Sequence, residues 1–380
     1  MNLVFFSAVI SLSVTILTLP KLIKYSYAKN IFDFPSILKT HSYPVSFFGG
    51  VGIFLAIIFS MTIMLPSNDA HWLQYLLASS LVVFLLGLYD DILFLSPLKK
   101  FIGQIIAIII IVEQGQFHIT SMYGFLGINE MNNIGSHIFT YLTFLLIINA
   151  YNLIDGVDGL AGTLALISSL FFGIVFLINN NIVFAALSFS LASALSVFLV
   201  FNYSPPKIFM GDNGSMLIGL ITGVLVVQFI NLEKTSGIFF HSDVAPAIGF
   251  AVLFIPIVDT IRVMVLRIFK GKSPFVGDNN HIHHMLLRKG FSHMKITFML
   301  SFSNAFIIFY SILFRSFGIT FLIISMCIIF FSILQLFLSN SGVNSFAENK
   351  LVDSTNRRNF SDKSITVKGE IESTEKRPNL

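Results

Sequence analysis

Long apolar blocks separated by short polar stretches recur along all 380 residues of the chain. A helix rises ~1.5 Å per residue, so a hydrocarbon core about 30 Å thick takes roughly 20 residues to cross. Eleven runs approach that length, near 3–20, 45–65, 72–89, 101–112, 137–151, 160–178, 182–201, 214–231, 244–266, 296–314 and 318–338. The fourth is short and must borrow flanking residues. The pattern predicts an all-α polytopic membrane protein of about eleven transmembrane helices. The first run carries no charge before Lys21 and no small-residue cleavage site, so it reads as a retained anchor with the N-terminus outside.

Charge turns this pattern into a topology. Starting outside, eleven spans put 21 of the 23 Lys and Arg on inside loops, leaving only Lys234 and Arg315 outside. The C-terminus is then cytoplasmic. With 55% hydrophobic and 11% charged residues, the chain is far from a soluble domain, in which about 25% are charged. The basic residues flank spans, where they meet anionic headgroups, and this excludes a nucleic-acid role. From about Asn340 the composition turns polar, dividing the chain into a transmembrane domain, 1–338, and a disordered cytoplasmic tail, 339–380. The single cysteine, Cys327, excludes intramolecular disulfides and cysteine-based zinc sites. Broken helices in inverted pairs, the mark of a secondary transporter, are not apparent in the pattern.

Four inside loops carry polar residues that a connector does not need. The third span ends in Asp90-Asp91, adjacent carboxylates that repel unless a cation or proton is shared. The fifth runs into Asn149, Asn152, Asp155 and Asp158, a three-residue recurrence that makes one drifting polar stripe on a helix, interleaved with Gly156 and Gly159. Such a stripe faces a cleft or a neighbouring helix, because ionisable groups facing hydrocarbon are costly. Phe209-Met-Gly-Asp212-Asn-Gly-Ser215 leads into the eighth span. There the helix N-terminus offers amides to phosphate, and Asp212 offers oxygen to Mg²⁺. The loop 267–295 holds His281, His283 and His284, with Arg288 one helical turn after His284. Oxygen-rich metal ligands beside His and Arg suit phosphoryl transfer, and the membrane setting makes one substrate a lipid.

These motifs, together with Asp33-x-Pro35, Gly49-Gly50 and Ser273-Pro-Phe, resemble the polyprenyl-phosphate N-acetylhexosamine-1-phosphate transferases over roughly residues 20–295, most closely their WecA branch. The resemblance implies a multi-pass protein of the bacterial inner membrane whose site faces the cytoplasm. The implied reaction moves GlcNAc-1-phosphate from UDP-GlcNAc to undecaprenyl phosphate with Mg²⁺, for which Mn²⁺ substitutes, releasing UMP. This is the first membrane step of a cell-surface polysaccharide of the O-antigen or common-antigen type. By the same resemblance Asp212 and Asn152 ligate the metal, Asp90 and Asp91 orient or deprotonate the lipid phosphate, and Asp155 and Asp158 contact the nucleotide. Phe209 lies against the uracil, while His281, His283, His284 and Arg288 hold the sugar diphosphate. Lys39, Asn149 and Lys272 join the substrate-binding set, and a homodimer is compatible with it.

Two positions depart from the family. Asn279 stands where relatives carry Arg, which shifts diphosphate neutralisation to Lys272 and Arg288, and the loop 37–44 is less basic than usual. The same reaction with another UDP-N-acetylhexosamine or with a MurNAc-pentapeptide stays open, as does a lipid-linked sugar transporter.

Overall fold

In the computed structural model, which describes residues 2–32, 44–64, 71–236, 242–271 and 280–340, the apolar runs fold largely as helices. In chain order these are α1 (Asn2–Lys29), α2 (Gly49–Met64), α3 (His71–Leu93), α4 (Pro97–Ile109), α5 (Asn133–Ile154), α6 (Leu160–Ile178) and α7 (Ile182–Asn202). Then follow α8 (Gly211–Ser236), α9 (Ala245–Val252), α10 (Phe254–Phe269), α11 (Ile282–Arg288), α12 (His293–Leu313) and α13 (Ile319–Asn340). Among the described residues seven helices are long and apolar enough to cross a membrane, or up to eight if α9 and α10 make one bent span. Two shorter apolar helices, Gly49–Ile63 and Ile319–Gln335, lie beside them. The protein is therefore polytopic and largely helical. Most of the expected tail, from 341 on, lies outside the described residues.

The centre of the bundle is α8. A helix apolar on every face has no side to offer water, and α8 is 83% buried over its apolar window, against 28% for the peripheral α1. It packs on α2, α3, α5 and α6. The buried hydroxyl of Thr222 is satisfied there, because its Oγ1 donates to Ile218 O at 2.8 Å within its own helix.

Two runs differ from their sequence reading. The fourth is longer than 101–112: α4 starts at Pro97, whose missing N–H is harmless in a first turn, and continues in a π-helical turn, Ile110–Gln114. The ninth run, 244–266, is broken, since α9 and α10 meet at Leu253 with an 83° bend. Pro256 has no N–H to give to Val252 O, which opens the ladder. Asn304 of α12 fills the gap, donating to Val252 O at 3.1 Å and accepting from Ile255 N at 3.1 Å.

At the end of α8 away from Asp212, the stretch 113–136 contains an antiparallel hairpin, β1 (Ser121–Phe125) and β2 (Ile128–Glu130). Tyr123 pins it to the far end of α8 by donating to Ile230 O at 3.3 Å.

Candidate active site

The start of α8 is held by two neighbours. Backbone bonds from Phe209 N to Ser46 O (2.6 Å), Gly49 N to Phe209 O (3.0 Å) and Gly50 N to Met210 O (2.9 Å) stitch the entry of α2 to the entry of α8. On the other side α3 comes so close that a Cβ on Gly87 would lie 2.5 Å from Asn213 N. One turn further along α3, Asp91 Oδ1 accepts from Asp212 N at 2.9 Å, while its Oδ2 accepts from Asn213 N at 3.1 Å and Asn213 Nδ2 at 2.6 Å. The sequence reading offered these amides to a phosphate. The structure gives them to Asp91, which acts as the cap of α8 from another helix.

With its backbone fixed, Asp212 turns its carboxylate to a cluster drawn from four helices. Asn152, near the end of α5, donates to Asp212 Oδ1 at 2.8 Å and to Ser215 Oγ at 3.0 Å. Lys100, on the first turn of α4, pairs with Asp212 Oδ2, lies 3.0 Å from Asp90 Oδ2 and donates to Asn152 Oδ1 at 3.1 Å. Asp90 Oδ1 also accepts from Leu95 N at 2.6 Å, tightening the turn between α3 and α4. Asn149 stands one turn back on α5 and is engaged with Gln104 of α4 in a two-way amide pair, at 3.0 and 3.3 Å.

The polar stripe is not helical throughout. α5 stops at Ile154, Asp155 sits at its C-cap, and the chain turns through 155–159 before α6. Gly159 closes this turn at φ 77°, a left-handed conformation that a side chain disfavours, and its N–H is taken by Asn202 Oδ1 at 2.8 Å. Asp155 is half-buried. Burial first, then the charges of Asp212, Asp91 and Asp158, push its carboxyl well above the usual range. Asp158 turns toward α12, where its Oδ2 lies 3.0 Å from His293 Nδ1 and its carbonyl accepts from Thr297 Oγ1 at 2.8 Å.

The histidines lie on and just before α11. His281 and His283 are buried, His284 is half-buried and Arg288 exposed. His283 packs on the glycine turn so closely that a Cβ on Gly156 would lie 2.6 Å from its Nε2. Both its ring nitrogens are buried without a hydrogen-bond partner among the described residues. Burial, with His284 next to it, lowers its pKa to about 3, so the ring is neutral at ordinary pH. His281 is tied to Asp259 of α10, with Nδ1 3.0 Å from Oδ2. Phe209 is half-buried at the entry of α8. Lys39 and Lys272 lie outside the described residues.

The structure thus joins Asp90, Asn152 and Asp212 directly, ties Asp91 to the same helix start, and surrounds Asp155 with their charges. Asp158 and the histidines belong to neighbouring layers of the same end of the bundle. Among the described residues no group of three His, Cys, Asp or Glu is placed to hold a metal ion. The donors around Lys100 are nevertheless all carboxylate or amide oxygens, the set that hard divalent cations prefer, and they already converge on one positive charge. The sequence reading passed over Lys100, Gln104, Asp259, Arg262 and His293. Asp259 was visible in principle, as the one acid in the apolar stretch 244–266.

Residues 73–230 match the family described as Glycosyl transferase family 4. The chain is 29% identical over 279 residues to the undecaprenyl-phosphate alpha-N-acetylglucosaminyl 1-phosphate transferase of Escherichia coli K12, covering 72% of this chain and 73% of that protein. It is 31% identical over 290 residues to the decaprenyl-phosphate N-acetylglucosaminephosphotransferase of Mycobacterium tuberculosis H37Rv, covering 70% and 71%. With the corresponding Mycobacterium leprae protein it shares 30% over 291 residues, covering 70% and 72%.

Proposed function

This chain belongs to the polyprenyl-phosphate N-acetylhexosamine-1-phosphate transferases, and on that footing we propose that it transfers GlcNAc-1-phosphate from UDP-GlcNAc to undecaprenyl phosphate. An oxygen of the lipid phosphate attacks the sugar-bearing phosphorus, the bond between the two nucleotide phosphates breaks, and UMP leaves with the electron pair. The products are undecaprenyl-diphosphate-GlcNAc and UMP, a first membrane step for a surface polysaccharide of the O-antigen type.

The observation that carries this reading is the convergence of Asp90, Lys100, Asn152 and Asp212 from four helices at one end of the bundle. Phosphoryl transfer asks the protein mainly to position phosphates and neutralise their charge. Asp212 and Asn152 would hold Mg²⁺, or Mn²⁺ in its place, which when bound screens the charge on the diphosphate oxygens. Asp91 keeps the Asp212 backbone in place, and Asp90 keeps Lys100 turned toward it. Lys100 brings a second positive charge beside the attacking and leaving oxygens. Asp155, beside Asp212 and Asp91, would contact the nucleotide. Asp158 and Phe209 would flank the nucleotide, with Asn149, Lys39 and Lys272 completing the substrate contacts. His281, His283, His284 and Arg288 would enclose the sugar diphosphate.

The proposed topology has eleven spans in a domain over 1–338, the N-terminus outside and the tail 339–380 cytoplasmic, with the site facing the cytoplasm. The distribution of Lys and Arg supports this orientation. Membranes containing the protein should release UMP from UDP-GlcNAc only when undecaprenyl phosphate and Mg²⁺ are both supplied, and Asp212→Asn should abolish release. UMP formation without the lipid, or unchanged in the variant, would sink the reading.

A further inference from the structure

Asp259 lies inside α10, more than a turn past the bend at Leu253, and is 1% exposed. An ionised carboxylate in such a place costs several kcal/mol unless its oxygens are satisfied. Three donors satisfy it, and two of them come from the start of α11. His281 Nδ1 meets Oδ2 at 3.0 Å, while Ile282 N and Arg262 Nη2 meet Oδ1 at 2.9 and 3.2 Å. Arg262 also donates to Asn280 O, so one Asp–Arg pair grips residues 280–282 from both sides. A carboxylate already accepting an amide and a guanidinium can only accept from the ring, so Nδ1 of His281 carries a proton. The ring itself is boxed in, 3% exposed and stacked on His283 with centroids 5.6 Å apart.

We propose that Asp259 is a positioning residue for the His281-Ile-His-His284 segment: it locks the proton of His281 on Nδ1, leaves Nε2 as the working nitrogen, and sets the angle at which α11 starts. Its effect on rate rests on the transfer reaction proposed above. Its effect on the ring does not.

Wild-type protein labelled with ¹⁵N-histidine in lipid nanodiscs, with His281→Gln assigning the ring, should show His281 protonated on Nδ1. A ring protonated on Nε2 with a bare Nδ1 overturns the proposal. This readout needs no substrate, so it separates failure of the proposal from failure of the assigned reaction. In Asp259→Asn the amide can still accept from Ile282 N–H but turns its own N–H to the ring. The proton should move to Nε2 and kcat should fall about 10–100-fold, with KM for UDP-GlcNAc changed less than about threefold. A raised KM at unchanged kcat makes Asp259 only a cap for α11 and overturns the proposal. The double variant with His281→Gln should be no slower than His281→Gln alone, and fully additive losses overturn it as well.

Discussion

Asp91 and Asp212 are adjacent through the backbone, not through their acids: a carboxylate oxygen of Asp91 accepts the N–H of Asp212 at 2.9 Å. Two carboxylates that a sequence offers as equals, Asp90 and Asp91, therefore do different work. Asp91 spends both oxygens on the start of α8, and Asp90 spends one on Lys100. Asp91→Ala should destabilise the purified protein by about 1–3 kcal/mol for the donors left unsatisfied, read as a lower thermal midpoint, and abolish UMP release. Asp90→Ala should abolish release with a smaller thermal effect. Equal thermal losses in differential scanning fluorimetry would contradict this division.

Lys100 is the cation that the cluster holds from within the chain. Lys100→Met leaves Asp90 and Asp212 facing one another without it. Both are partly solvated, so the cost should be about 1–3 kcal/mol and not that of a fully buried pair. The variant should lose UMP release by at least about 100-fold. Added Mg²⁺ should raise its thermal midpoint more than it raises that of the wild type. An equal Mg²⁺ shift in both proteins would separate Lys100 from the cation site.

Gly87 tests whether close backbone approach sets the site. A methyl group there meets Asn213 N and Cα at 2.5 Å, and backbone cannot swing aside. Gly87→Ala should push α3 off the start of α8, cost about 1–3 kcal/mol and take activity with it. At Gly103 the same methyl meets only the side chain of Leu86, at 2.7 Å, so Gly103→Ala should be tolerated far better. Assays of both variants in one membrane preparation decide it.

His283 predicts a stability slope with pH. Its folded pKa, about 3, lies below the ordinary 6.5, so between these values the unfolded chain binds the extra proton. The stabilisation is fully present above about pH 6.5 and is lost as pH falls toward 3. The thermal midpoint of the wild type should therefore drop more steeply across that window than that of His283→Gln. Parallel curves would remove His283 as the cause.

Helices were legible because apolar length alone demands them in lipid, and among the described residues seven are long and apolar enough to span. The clustering of Asp90, Asn152 and Asp212 was legible too, since acids at span ends on one face have few places to go. What sequence could not reveal is which atom each acid serves. Nothing in Asp90-Asp91 distinguishes a carboxylate that caps a distant helix from one that faces a lysine, because the partner is about 120 residues away. The α9–α10 bend was hidden for another reason. Hydropathy is blind to direction, and its cause, Pro256, has its remedy on α12. Lys100 and His293 were passed over, since their partners, like Asp259's, become neighbours only when the bundle closes.

The bend at Leu253 also decides where chemistry can be aimed. Asp259 stands six residues past it, roughly 9 Å along the axis, so straightening the 83° turn would sweep its carboxylate through roughly 12 Å. The grip on His281 would open, and α11 would lose its anchor. Asn304, by splicing the two helix halves with one donor and one acceptor, is in this sense the elbow joint of the arm that presents the histidines. A substitution there, far from any phosphate, is an alignment error as much as a loss of stability.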